Sequence, residues 1–324
     1  MDRLGFFKHG LSALFDAATS VVGMKKAVES MTEAVDEALS KIKTDMCLHL
    51  PSLEAKMYED AENTLSELAL MGYTQLEVGA YYGDTIHDQK VTHFRDMVRK
   101  VGLKVVAAHL NREYKPEVEE VVVEEEGSCQ AENSTNSEIP EKITAEQRWW
   151  SEALDAVSSL GCKCVVMSKV PAFPPEQMEQ MAQTYASYFA RIAQMTQQRG
   201  MKFCYHPMAQ ELKAVEGRSF LDLVMQDDAT QGLWLQLDTF EALSAGVDFQ
   251  SLMERYNGRI ASIHLHDRAI VGESGDIDFE QVVRSASKRG INDVIIEQRH
   301  FTLPPMNCIE RSIQNVMSLP SIKH

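Results

Sequence analysis

Acidic and imidazole side chains recur near the ends of short apolar runs in this sequence. His49 lies in MCLHL, Glu77 in TQLEVG, His109 in LKVVAAHL, His206 in MKFCYH, Asp238 ends GLWLQLD, His264 and His266 close RIASIHLH, and Glu297 lies in DVIIEQ. Histidine with aspartate and glutamate, without thiolate, is a ligand set for a borderline or hard divalent cation such as Mn, Co, Mg or Zn. A carboxylate-rich site that also holds substrate oxygens can polarise a carbonyl and stabilise an ene-diolate while a carboxylate carries the proton. That is the chemistry of sugar isomerisation and epimerisation. The chain has no G-x-S-x-G turn, so a serine triad of the hydrolase kind is excluded.

Such residues need a scaffold that brings them to one place. From Asp45 onward, eight β-type runs alternate with helical or loop-plus-helix stretches (the fourth run is CKCVVMS). In the fourth helical stretch, Met178, Met181, Tyr185, Tyr188, Ile192 and Met195 fall on one face, and Gly200 follows as a stop signal. Eight βα units predict a (β/α)8 TIM barrel, a fold that typically takes about 250 residues. An open doubly wound sheet is the weaker reading, because no run leads into G-x-G-x-x-G or a P-loop. Side chains on a strand alternate between its faces. In IASIHLH, Ala261, Ile263 and Leu265 therefore share the face that packs under helices, and Ser262, His264 and His266 point into the barrel. In LWLQLD the inward residues are Trp234, Gln236 and Asp238. The same alternation turns His49, Glu77, His109, His206 and Glu297 inward, near the C-terminal ends of their strands, where the active sites of this fold lie. So many buried polar groups at one mouth would be costly without a metal, a ligand or each other.

Several longer stretches resemble the sugar phosphate isomerase/epimerase family of the xylose isomerase-like barrels. They are LALMGYTQLEVGAYYG, YHPMAQEL, LQLDTFEALSAG, RIASIHLHD, GESGDIDFEQVV and VIIEQ, in this order between Asp45 and Met317. The resemblance implies a divalent metal held by Glu211, Asp238, His264 and Glu297. Flanking such a metal, Glu211 and Glu297 are expected to act as the acid/base pair, and His206, His266, Arg268, His109, Glu77 and His49 are expected as substrate contacts. Pro207, Met208 and Gln210 depart from the family's strand-five motif, and His266 stands where a lysine is common. The first three departures alter the substrate wall beside strand five, and His266 implies a different substrate preference. The glycines Gly272 and Gly275 serve either a turn or close backbone approach to the ligand.

The rest of the chain bounds these readings. With a formal net charge of −16 over 324 residues, the protein lacks the clustered basic charge that nucleic-acid binding draws on. No run approaches the ~18 apolar residues of a membrane span. The 6 cysteines lack zinc spacing and are too sparse for a disulfide scaffold, which suits a reducing, cytoplasmic setting. Residues 1–43 are expected to form an N-terminal amphipathic helical extension, with Leu14, Val21, Val28, Met31, Val35 and Leu39 at near-helical spacing. Its basic start also resembles a degenerate export signal, although Asp16 interrupts the apolar part. Residues 44–324 form the barrel, with an acidic insertion at about 112–143 that follows the third strand and reads as solvated chain. The expected partner is a small carbohydrate, with a homo-oligomer left open. The alternatives to an isomerase or epimerase are a keto-sugar lyase or dehydratase on the same metal site, and a non-catalytic sugar-binding barrel.

Overall fold

The computed structural model describes residues 45–114, 144–168 and 170–322. The expectations for the N-terminal extension, and for all but the first residues of the acidic insertion, lie outside them. Eight parallel strands close into a barrel in chain order. They are β1 Cys47–His49, β2 Gln75–Val78, β3 Lys104–His109, β4 Cys164–Met167, β5 Lys202–Tyr205, β6 Trp234–Asp238, β7 Ile260–His266 and β8 Asp293–Glu297. The helices around them are α1 Glu54–Met71, α2 Val91–Lys100, α3 Ala145–Leu160, α4 Met178–Gln197, α5 Ala209–Leu212, α6 Phe220–Gln226, α7 Thr239–Ala245, α8 Phe249–Arg255, α9 Phe279–Lys288 and α10 Pro305–Met317. All eight β-type runs of the sequence thus become barrel strands. No helix among the described residues is long and apolar enough to cross a membrane.

The main core lies between strands and helices, as parallel strands covered on their outer face require. Ile263 and Leu265 of β7, and Leu235 and Leu237 of β6, are fully or almost fully buried on this outer side. On α4, Tyr185, Tyr188, Phe189 and Ile192 face the core, while Met181 and Met195 of the predicted stripe are only partly buried at its edge. A buried indole needs a hydrogen-bond partner. Trp150 of α3 donates its Nε1–H to the Tyr188 hydroxyl at 2.9 Å, which fixes α3 against α4. Helix α3 starts on a Thr144–Gln147 capping box and stops at Gly161, whose φ of 99° few side chains tolerate.

Two registers are interrupted where the site begins. The β6–β7 pairing shifts between Leu235 and Gln236, and the β2–β3 pairing shifts between Leu76 and Glu77. Beyond the shift, Gln236 pairs with Ser262 and Asp238 with His264. The inward side chains of these strands therefore come level with one another.

The cysteines depart from expectation. Cys162 is a buried core residue, but Cys164 and Cys204 pair through sulfur across the neighbouring strands β4 and β5. Their contact depends on strand register, which spacing in the sequence does not reveal.

At the mouth, the loop after β2 crosses closely over the turn after β1. A Cβ at Gly79 would lie 2.6 Å from Pro51 Cγ. Gly79→Ala is expected to cost about 1–3 kcal/mol of unfolding free energy through overpacking. In a Pro51→Ala background the same change should cost clearly less, because the clashing atom is gone. Urea unfolding of the two single variants and the double variant measures this coupling.

Candidate active site

The buried carboxylate of Glu77, with no exposure to solvent, sits at the centre of the inward polar layer. Its Oε1 lies 2.7 Å from His49 Nδ1, 2.7 Å from His264 Nε2 and 3.1 Å from His109 Nε2. Its Oε2 accepts from Gln236 Nε2 at 2.7 Å. Burial by itself works to raise the pKa of Glu77, yet His109 and His264 hold it well below the usual carboxylate range. Burial likewise works to lower His264, but Glu77 and Glu297 on either side raise it to about 10. In this state His264 is an imidazolium clamped between two carboxylates.

Nearer the mouth a second group gathers around the same imidazole. His264 Nδ1 lies 2.5 Å from Glu297 Oε2 and 3.9 Å from Asp238 Oδ2. His206 Nε2 is 4.0 Å from the same Asp238 oxygen, and His266 Nδ1 is 3.0 Å from it. The other Asp238 oxygen accepts the Glu241 N–H at 2.8 Å and so caps α7. His206 is fully buried, and burial together with the neighbouring His264 lowers it to about 3, so it stays neutral.

One donor from each of His206, Asp238, His264 and Glu297 lies within 4.8 Å of the other three. His49, Glu77, His109 and His264 make a similar group, but their donors already satisfy one another. The first group fits a divalent cation better. The buried Nε2 of His206 has no hydrogen-bond partner, which is costly unless something is bound there. Two carboxylates and two imidazoles without thiolate also suit such an ion.

Of the expected metal ligands, Asp238, His264 and Glu297 come together. Glu211 does not join them, and His206 takes the fourth place. Glu211 lies on α5, beyond the end of β5, where its carboxylate accepts the Met208 N–H at 2.6 Å. It is 3% exposed, and burial raises its pKa to about 7. Among the expected substrate contacts, His49 and His109 line a cleft of about 350 Å³ together with Glu297, Arg299, Asn111 and Trp149. Glu77 and His206 lie beneath it as partners of the inward layer. His266 packs its ring against Phe240, and its Nε2 has no hydrogen-bond partner. Arg268 is not brought in. Its side chain is 63% exposed and paired with Asp276, because it lies past the strand, where alternation no longer sets direction. Gly272 and Gly275 serve the turn, both at positive φ, and the Gly272 N–H donates to Asp267.

Sequence reasoning missed Arg299 and Glu241. Arg299 donates to Glu297 at 2.6 Å and to Glu241 at 2.7 Å. The other Glu241 oxygen accepts the Ala209 N–H at 2.8 Å. Both had a local signal. Arg299 is two residues after the inward Glu297, and Glu241 is three after Asp238, the spacing of an N-terminal capping pattern.

The Glu211 shift has a sign that can be measured. Its folded value of about 7 lies above the ordinary 4.5, so folding favours the protonated carboxyl. That stability is present below about pH 4.5 and is lost as pH rises through about 7. Glu211→Gln stays neutral, so it should be more stable than the parent at pH 8, by on the order of 3 kcal/mol. The difference should nearly vanish at pH 4.5. Thermal melts of chelator-treated proteins at the two pH values test this, and an equal difference at both would refute the buried-acid assignment.

Comparison with known proteins agrees with this architecture. The profile described as xylose isomerase-like TIM barrel matches residues 65–315. An inosose dehydratase from Geobacillus kaustophilus (strain HTA426) is 23% identical over 266 residues, covering 77% of this chain and 72% of that protein. The crystal structure of a sugar phosphate isomerase/epimerase from Parabacteroides distasonis ATCC 8503 superposes with a TM-score of 0.70 at 24% identity, covering 87% of this chain and 96% of the other. The IOLI protein, solved with a bound zinc atom, gives a TM-score of 0.58 at 14% identity, with coverage of 86% and 98%. At such identities the structural likeness speaks to the fold. With the family profile spanning most of the barrel, the chain belongs to the xylose isomerase-like TIM barrel family.

Proposed function

We propose that the protein is a divalent-metal-dependent sugar or sugar phosphate isomerase or epimerase, acting by proton transfer next to a carbonyl. The observation that carries this reading is the unpartnered, fully buried His206 Nε2 beside Asp238, His264 and Glu297 at the floor of a polar cleft. These four residues would hold the ion. When bound there, a divalent cation would supply Lewis-acid polarisation of a substrate carbonyl and its neighbouring hydroxyl.

The chain's own residues do the rest. Glu297 reaches both the donor cluster and the cleft, so its carboxylate is placed to take a proton from the carbon next to the carbonyl. Arg299 holds that carboxylate in position and adds positive charge near the developing ene-diolate. Glu211 is the second proton carrier. A carboxyl that titrates near neutrality can both give and accept a proton at working pH. To act, it must exchange the Met208 amide for substrate. His49 and His109, on the cleft wall, are placed to contact substrate hydroxyls. Trp149 and Tyr81 meet edge to face, 5.8 Å apart, on the outer wall and offer apolar surface to a sugar ring.

The likeness to an inosose dehydratase favours a second reading, loss of water from a keto sugar. It starts with the same proton abstraction and then expels the neighbouring β-hydroxyl.

Purified protein reconstituted with Mn should carry about one tightly held ion per chain, and Asp238→Ala or His264→Ala should lower occupancy by at least ~10-fold. Protein that takes up no ion overturns the metal-dependent reading. Screening against aldoses, ketoses, inososes and 3-keto-glycosides in D2O should place deuterium beside the carbonyl of a substrate, and an enone product would mark the dehydratase. With metal retained, Glu297→Gln and Glu211→Gln should each slow turnover by at least ~10²-fold. Parent-like turnover by metal-loaded Glu211→Gln would remove Glu211 from the mechanism.

A further inference from the structure

The hydrogen bonds beneath the cluster can be followed donor by donor, and they determine which ring nitrogens stay free. Ionised carboxylates accept only, amide nitrogens donate only, and a neutral imidazole carries one of each. Glu77 is faced by nitrogen from His49, His109, His264 and Gln236, so every one of these contacts runs toward its oxygens. Gln236 must therefore present its NH2 group to Glu77, and the same nitrogen lies 3.0 Å from Ser262 Oγ. Its Oε1 is left facing His206 Nδ1 and His109 Nε2, each at 2.9 Å. An amide oxygen can only accept. His206 thus carries its proton on Nδ1, and Nε2, the buried nitrogen with no partner, carries a lone pair. In the same way His264 donates through Nε2 to Glu77, so its Nδ1 is the nitrogen turned toward Glu297 and Asp238.

We infer that Glu77 and Gln236 are positioning residues. Working as an oriented carboxylate–amide pair, they fix the tautomer of His206 and hold the Nε2–H of His264, so that His206 Nε2, and His264 Nδ1 once its proton leaves on metal binding, face the space shared with Asp238 and Glu297. Metal-ligating histidines generally donate their other ring N–H to a carboxylate or carbonyl, and loss of that partner typically weakens metal affinity 10–100-fold. Neither residue needs to touch the ion or the substrate. The role of the pair rests on the metal-centre reading above, but the tautomer of His206 is a property of the protein alone.

The chain of donors makes a specific reversal. In Glu77→Gln, the new amide nitrogen would face the Gln236 nitrogen, donor against donor. Gln236 would rotate, present NH2 to His206 Nδ1, and force the His206 proton onto Nε2. The exchange Glu77→Gln with Gln236→Glu restores the order. The side chain at 236 can then accept from position 77 and Ser262 with one oxygen, and from His206 and His109 with the other.

The experiment reads 15N chemical shifts and two-bond correlations of histidine rings in chelator-treated protein, with His206 assigned from the His206→Asn spectrum. Cobalt affinity is measured by chelator competition on the same samples. In the parent protein His206 should be protonated at Nδ1. In Glu77→Gln its proton should move to Nε2 and cobalt binding should weaken 10–100-fold. In the double exchange both should return, with affinity within a few-fold of the parent. A parent His206 protonated at Nε2 overturns the assignment whatever the variants do, including a Glu77→Gln variant that does not fold. Unchanged tautomer and affinity in folded Glu77→Gln, or no recovery in the folded double exchange, also overturns it. A parent with Nδ1–H that binds no cobalt supports the tautomer assignment and refutes the metal-centre reading instead.

Discussion

A carboxylate with no solvent exposure, at the centre of the barrel, is the constraint on which the site depends. Glu77 gives up hydration entirely, and an ion so placed is tolerated only when its lone pairs are met. They are met by side chains from β1, β3, β6 and β7. One residue on β2 thereby ties four other strands together at a single level. Removing any of the donors would leave part of that charge unpaired, which makes the layer cooperative in a way that an apolar barrel interior is not.

Above this layer, β6, β7 and β8 deliver Asp238, His264 and Glu297 toward the mouth, and β5 leads straight into His206. The register shifts at Leu235/Gln236 and Leu76/Glu77 occur in the two strands that contribute the amide and the central carboxylate. Bulges near active sites re-aim side chains in this manner. Here the effect is to bring Gln236 level with Ser262, within reach of both Glu77 and His206.

Much of this was legible in the sequence, for a simple reason. Residues on strands obey a two-residue alternation, so the inward direction of His49, Glu77, His109, Asp238, His264 and Glu297 follows from their neighbours. His206, just past the end of its strand, still keeps that alternation. The barrel itself follows from eight such runs separated by helical stretches. What was illegible lies off the strands or in the pairing between them. Glu211 is on a short helix and Arg268 in a turn, and no periodicity sets their direction there. Gln236 was seen to point inward, but an uncharged amide suggests no chemistry until its partners are known. Arg299 and Glu241 stand close in sequence to the inward Glu297 and Asp238, but their pairing with one another needs the folded mouth. The Cys164–Cys204 pair likewise needs the strand register.

Glu241 has a consequence for how the mouth can change. It starts on α7 after β6, receives Arg299 from the loop after β8, and receives the Ala209 amide from the segment after β5. Three of the loops that frame the site are thus cross-linked by one side chain, and they form a block. A chimera that grafts any one of them from a relative would strand a buried carboxylate or a guanidinium, whereas exchanging all three together would preserve the ties. Among the described residues, the loops after β2, β3 and β4, which supply Tyr81, Asn111 and Ser168 to the opposite wall of the cleft, carry no share of this knot. Divergence in what the barrel accepts is therefore cheapest on that wall, with the knotted wall inherited as a unit.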